Sequence, residues 1–236
     1  MTEFPFNLIE PYCKDFPLDA EKKEKLGIYG ELLLEWNQKM NLTAITDPAE
    51  IVIKHFFDSM LFLKAVDLPQ NASIIDVGTG AGFPGVVLKI MRPDIRLTLL
   101  DSLNKRLIFL DEVLKKINLD AELIHARAEE GGAKKELREK FDFASARAVA
   151  RQNVLAEYCM PFVKPGGYFV ALKGPAAAEE IRESEAAVKL LGGAKSRLLE
   201  EKLPTGEQRC FIITEKISQT PPKYPRISAK ISKQPL

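Results

Sequence analysis

The chain has 236 residues, with 34 Lys and Arg against 33 Asp and Glu and a formal net charge of +1. That length suits one α/β domain whose core needs no disulfide or metal staple, and 46% apolar with 28% charged residues is the composition of an ordinary soluble globular protein. The near-zero total excludes a nucleic-acid binder that is basic throughout.

The N-terminus, MTEFPFNLIE, lacks the basic start and small-residue cleavage site of a signal peptide, and no apolar run approaches the ~18 residues of a membrane span. Residues 4–66 read as helical. Within them Leu26, Ile28, Tyr29, Leu32, Leu33, Leu34 and Trp36 recur at helical spacing, and Asp47-Pro48 offers an N-cap with Pro at the first helical position. A further apolar stretch covers Phe56–Val66. From residue 72 the pattern changes to short β-branched runs alternating with helices. The strands are expected at 73–77, 96–101, 121–126, 141–147 and 168–173, with helices at 83–91, 103–117, about 149–162 and 176–191. Such alternation predicts βαβ units and a doubly wound parallel sheet. Two last strands, 194–203 and 208–216, flank Pro204-Thr205-Gly206 and predict an antiparallel hairpin closing a seven-stranded, mostly parallel sheet. Residues 217–236 hold four prolines and read as an extended tail. The division expected is a helical extension over 1–71, a core over 72–216 and a tail over 217–236.

Three cysteines, Cys13, Cys159 and Cys210, lie far apart and form no CxxC pair, which points to a reducing, cytoplasmic setting. His55 and His125 are the only histidines, too few for a zinc set, so no metal is expected.

The stretch Asp76-Val77-Gly78-Thr79-Gly80-Ala81-Gly82-Phe83-Pro84-Gly85 joins the first of these strands to a helix. Glycines there let backbone N–H groups approach a ligand. Two parsings compete. Gly80-x-Gly82-x-x-Gly85 with Asp101 is a dinucleotide pattern, the mark of an NAD(P)-dependent oxidoreductase. Asp76-x-Gly78-x-Gly80-x-Gly82 is the loop of S-adenosylmethionine (SAM) methyltransferases. The second fits better: SAM has no pyrophosphate for Asp76 to repel, Gly78 follows the strand directly, and the terminal hairpin belongs to a methyltransferase sheet. Asp101 either accepts from both ribose hydroxyls or caps the next helix, and Ser102 shares either role. Ala128 and Glu129 follow the third strand, where the adenine is expected, although Glu129 also reads as a solvated loop acid.

Several motifs together resemble one family, the bacterial small-subunit rRNA guanine-N7 methyltransferases (RsmG, also called GidB). They are Glu35-Trp36-Asn37 with Asn41-Leu42-Thr43-Ala44-Ile45, His55-Phe56-Phe57-Asp58-Ser59, the glycine loop with Phe83-Pro84-Gly85, and Leu100-Asp101-Ser102. Arg127-Ala128-Glu129, Ser145-Ala146-Arg147-Ala148-Val149-Ala150, Leu172-Lys173-Gly174 and Lys223-Tyr224-Pro225-Arg226 complete the set. After Arg226, Ile227-Ser228-Ala229 departs from the family's glycine-bearing continuation. The resemblance implies methyl transfer from SAM to N7 of a guanine in the decoding-region loop of 16S rRNA. The partner expected is that RNA in the context of the small subunit, and a monomer is expected. The resemblance also implies cofactor contacts at Gly78, Phe83, Ala128, Glu129 and Arg147 beside Asp76, Gly80, Gly82, Asp101 and Ser102. Arg147 is read as facing the cofactor carboxylate, the guanine edge, or only a neighbouring carboxylate.

Guanine N7 carries a free lone pair, so catalysis by positioning is expected, with no dedicated base. The positioning candidates are Arg147, His55, Asp58 and Lys173. His55 and Asp58 share a helical face, and a buried structural pair is the other reading of them. Lys173 is a phosphate or base contact or a solvated edge, and Trp36 and Phe56 read as core. The tail from Lys216 on carries five basic residues and no acid, leaving −4 for residues 1–215, so Lys223 and Arg226 are candidate RNA contacts. A noncatalytic RNA-associated protein that retains a SAM pocket is a further reading.

Overall fold

The computed structural model describes residues 2–147 and 150–236. Ala148 and Val149 of the Ser145–Ala150 motif, and the start of the helix expected near 149, lie outside the described residues. The sheet has seven strands in the order β3-β2-β1-β4-β5-β7-β6. They are β1 (Ser73–Val77), β2 (Arg96–Asp101), β3 (Glu122–His125), β4 (Phe141–Arg147), β5 (Val163–Lys173), β6 (Arg197–Lys202) and β7 (Gln208–Glu215). The first five pair in parallel, and β7 runs antiparallel to β5 and β6. The hairpin is as expected. β5 starts five residues earlier than Tyr168, because Val163 pairs with Phe141 ahead of an irregularity in the ladder.

Alternate residues along the strands enter different cores. Ile74, Leu99, Phe143, Val170, Phe211 and Ile213 join one cluster, while Ile75, Leu100, Ala144, Ala171, Cys210 and Ile212 join another. Helices α1 (Ala20–Asn37), α5 (Gly85–Met91) and α6 (Asn104–Lys116) pack with the first. Helices α7 (Ala128–Ala133), α8 (Gln152–Cys159) and α9 (Ala177–Leu190) pack with the second.

The N-terminal region is less helical than its apolar spacing predicts. Residues before α1 form two short 3-10 turns, Phe6–Leu8 and Glu10–Tyr12, in a stretch punctuated by Pro5, Pro11 and Pro17, none of which continues an α-helix. Residues 38–47 form a loop, pinned where the Asn37 carboxamide accepts from the N–H groups of Leu42 (2.8 Å) and Thr43 (3.0 Å). Asp47 caps as expected, its carboxylate accepting from the Glu50 N–H at 3.0 Å. One helical run follows: α2 (Pro48–Glu50), a π-helical segment Ile51–Phe57, α3 (Asp58–Met60) and α4 (Phe62–Ala65). Phe56 is fully buried and Trp36 half-buried, its indole donating to Glu112, so both serve the core.

The tail is not an extended arm. Arg138, just before β4, donates to the carbonyls of Thr220, Pro221 and Tyr224, and the Thr220 N–H donates to Glu139 at 2.7 Å. Arg226 donates three times to Glu157, which is itself fully buried. A short helix α10 (Ser228–Lys233) then buries Ile231 completely.

Candidate functional site

Strand order reverses direction between β1 and β4, and ligands of open α/β sheets bind at the carboxyl ends beside such a switch. There Asp76 pairs in register with Ser145. Its carboxylate accepts from the Ser145 hydroxyl (2.8 Å), the Thr79 hydroxyl (2.7 Å) and the Gly85 N–H (3.2 Å). Asp76 is fully buried, and burial pushes its carboxyl above the ordinary value against those three donors. It shapes the glycine loop from beneath and lines none of the three cavities described below.

The loop also differs from a phosphate cradle. The N–H groups of Gly78 and Thr79 donate to the Leu100 carbonyl, that of Gly80 to Asp101 (2.9 Å), those of Gly82 and Phe83 to the Thr79 carbonyl, and that of Gly85 to Asp76. The expectation that these N–H groups turn toward a ligand is therefore corrected. Gly78, Gly80 and Gly82 all have positive φ. A Cβ on Gly82 would meet the Tyr29 hydroxyl at 2.6 Å and Leu110 at 2.7 Å, so Gly82 serves packing, whereas Gly80 faces open space.

Three neighbouring cavities follow the sheet edge. The central one, about 390 Å³, is lined by Thr43, Gly78, Gly80, Phe83, Asp101 and Arg147 among others. Gly78 and Ser102 also line a smaller one of about 160 Å³ beyond β3, as do Ala128 and Glu129. His55 and Arg147 form the wall the central one shares with a third, of about 410 Å³, that includes Asp58, Lys173, Arg209 and Cys210.

That shared wall is built by the N-terminal helices. The Phe83 ring stacks with Tyr29 (centroids 5.2 Å) and with His55 (4.5 Å), and the Arg147 guanidinium lies 4.8 Å from its centre. The Tyr29 hydroxyl donates to the Ala81 carbonyl, tying α1 to the glycine loop. Arg147 donates toward Asp58 (3.3 Å), the Lys54 carbonyl (3.4 Å) and His55 Nδ1 (3.4 Å). Because a guanidinium only donates, His55 Nδ1 accepts, and Nε2–H donates to the Thr43 hydroxyl at 2.8 Å. Burial, reinforced by the Arg147 charge, lowers His55 to about 3. Asp58 also pairs with Arg209 at 3.1 Å; burial raises its carboxyl while the two guanidiniums pull against that. Burial likewise raises the Cys210 thiol, which disfavours a thiolate nucleophile there.

A family model described as rRNA small subunit methyltransferase G matches residues 22–209. The chain belongs to that family. It is 49% identical over 97% of its length to the Ribosomal RNA small subunit methyltransferase G of Alkaliphilus metalliredigens, covering 98% of that relative. It is 47% identical over 98% of its length to that of Clostridium perfringens strain SM101, covering 98% of it. Among solved structures it resembles a SAM-dependent O-methyltransferase from Thermotoga maritima, with TM-score 0.56, 16% identity, and coverage of 80% of this chain and 72% of that one. A geranyl diphosphate C-methyltransferase from Streptomyces coelicolor matches with TM-score 0.54 at 12% identity, over 68% of this chain and 79% of that one. At those identities the likeness is one of fold.

Of the residues singled out in the sequence, Gly78, Gly80, Phe83, Asp101, Ser102 and Arg147 line the central cavity and Ala128 and Glu129 the small one. His55, Asp58 and Lys173 line the third. Lys173 is committed inside it, donating to the Ala150 carbonyl (2.6 Å) and Glu180 (2.7 Å). Asp101 faces the cavity and, contrary to the capping alternative, makes no cap of α6, whose N-cap Leu103 has no side-chain partner: it accepts from the N–H groups of Leu103 (2.8 Å) and Gly80, and from Arg106 (3.3 Å). Three of its roughly four accepting positions are taken, so it has room for one ribose hydroxyl rather than two in this arrangement. Arg226 does not offer a free charge, being paired to Glu157. Lys223 is exposed, its ammonium 5.3 Å from the Tyr224 ring centre. Sequence reading passed over Thr43, Arg106 and Arg209 as site residues. Thr43 stood within a quoted motif; Arg209 reaches Asp58 from β7 across 151 positions of sequence, with no local signal.

Proposed function

We propose that this protein transfers a methyl group from SAM to N7 of a guanine in the decoding-region loop of 16S rRNA. The observation that carries the reading is near-full-length kinship at 46–51% identity with proteins named Ribosomal RNA small subunit methyltransferase G. The site fits SAM. An elongated pair of cavities suits a nucleoside joined to an amino acid, Asp101 and Ser102 stand where a ribose would lie, and the Arg147 guanidinium faces the central cavity for a carboxylate. It fits a dinucleotide poorly, since the loop N–H groups are occupied and buried Asp76 holds the start of α5, where a pyrophosphate would need donors.

Bound SAM supplies an electrophilic methyl on a sulfonium, which the N7 lone pair can take without prior deprotonation. The protein's own part is alignment and exclusion of water. His55, neutral with Nδ1 facing Arg147, is no general base. His55 and Arg147 line both the donor cavity and the acceptor cavity and so stand where the two adjoin. Arg209 and Lys54 line the acceptor cavity but are paired there, Arg209 with Asp58 and Glu207 and Lys54 with Glu50 and Glu207.

In this reading residues 72–216 supply most of the cofactor site, 1–71 wall its central cavity and shape the acceptor side, and 217–236 fold back against α8. The enzyme works as a cytoplasmic monomer on RNA within the small subunit; no helix among the described residues is long and apolar enough to cross a membrane. The test is tritium transfer from methyl-labelled SAM to undermethylated 30S particles and to naked 16S rRNA, with the modified base located by strand scission at 7-methylguanine. One methyl per particle at one guanine is expected. No incorporation, with SAM binding intact, would instead support a noncatalytic RNA-associated protein.

A further inference from the structure

We infer that the C-terminal segment completes the purine subsite: Ser228, with Tyr158 beneath it, closes the small cavity into which the adenine of the cofactor enters. This rests on the SAM reading above. The cavity of about 160 Å³ has three walls from the core, namely Val77-Gly78, Leu100 with Ser102, and Ala126–Glu129. Its fourth wall comes from Leu155 and Tyr158 of α8 and from Ser228, more than ninety positions beyond the end of β3. The Tyr158 and Ser228 hydroxyls lie 3.2 Å apart. Either can donate to or accept from the other, which leaves donor and acceptor capacity for a purine edge carrying both a ring nitrogen and an amino group.

The placement of Ser228 is held from both sides. Upstream, Arg226 grips buried Glu157 through its backbone N–H (2.8 Å), Nε (2.8 Å) and Nη2 (2.6 Å), one residue from Tyr158. Downstream, Ile231 is fully buried, and the carboxyl-terminal Leu236 carbonyl accepts from Asn153 at 3.3 Å. A residue held this way by a buried charge pair and an apolar anchor belongs to the wall and does not swing as a free arm.

Isothermal titration with S-adenosylhomocysteine tests this. Ser228→Trp, which fills the cavity, is expected to weaken binding at least tenfold. Ser232→Trp, on the exposed face of the same helix, is expected to leave it unchanged. Unchanged affinity in Ser228→Trp, or equal weakening in both variants, overturns the inference. A second measurement needs no variant: tryptic cleavage after Lys230 of the wild-type chain should slow at least fivefold with saturating S-adenosylhomocysteine or adenosine, and not with methionine. Equal cleavage rates under proven saturation overturn it equally. Failure of the wild-type chain to bind S-adenosylhomocysteine at all would instead overturn the SAM reading on which the inference stands.

Discussion

Asp76 and His55 show how a polar residue in a motif can act by shaping its surroundings. Asp76 accepts from three donors inside the protein, so Asp76→Asn turns an NH2 group toward at least one of them. A loss of about 1–3 kcal/mol is expected, read as a lower urea midpoint together with weaker S-adenosylhomocysteine binding; a purely ligand-contacting role would lower affinity and leave the midpoint alone. His55 carries a pH signature. Its folded value, about 3, lies below the ordinary 6.5. Between those values the unfolded chain binds a proton that the folded chain does not, so the His55 contribution to stability is complete above about pH 6.5 and is lost as pH falls toward 3. The ring resonance of His55 is therefore expected not to titrate between pH 5 and 8, and the methyl-transfer rate to show no limb from it. A titration near 6.5 that disappears in His55→Gln would refute this.

At the scale of elements, the glycine loop and the helices over it act as one unit. The loop's φ values are positive at Gly78, Gly80 and Gly82, and Gly82, unlike Gly80, is also crowded, by Tyr29, Leu110 and Val86. Alanine at Gly80 is expected to cost about 1–2 kcal/mol for the left-handed backbone. At Gly82 a further loss of about 1–3 kcal/mol is expected from overpacking. Denaturant midpoints of the two variants order them, and equal midpoints would show that Tyr29 yields without cost. Helix existence and the strand-helix alternation were legible because periodicities of 3.6 and 2 report which face is buried. The π-helical segment was not. Its departure from α geometry is seen in Ile51–Phe57, whose apolar pattern suits either helix, and it sits where His55, Asp58 and Arg147 meet.

Across the whole molecule, the charge of the tail is redistributed by folding. Of its five basic residues, Lys216 is fully buried against Thr220 and Glu139, and Arg226 is paired with Glu157; Lys223, Lys230 and Lys233 stay exposed. Replacing those three with Gln is expected to reduce the slope of log K for RNA against log salt by about 2, from ~0.7 per single-strand phosphate contact, with cofactor affinity unchanged. Arg226→Ala is a different experiment. It strands a buried carboxylate and is expected to cost about 3–5 kcal/mol, measured by urea unfolding, so a lost activity there would not report an RNA contact.

The sequence by itself determined the alternation of elements, the closing hairpin, the glycine loop and the motifs that mark the family, because each is local or periodic and leaves its trace within a short window. Most of the cavity residues were legible for the same reason. Only the tertiary structure decided which polar groups still face a cavity. Asp76 and Arg226 read as ligand-facing until partners distant in sequence were brought within hydrogen-bond reach, and Lys173, though it lines a cavity, is committed to Glu180 on a separate element. Arg209 and Ser228 carried no signal until β7 and the tail folded back onto the sheet edge. A buried charge must find its counter-charge wherever the fold places one, and that partner is set by packing rather than by its neighbours in the chain.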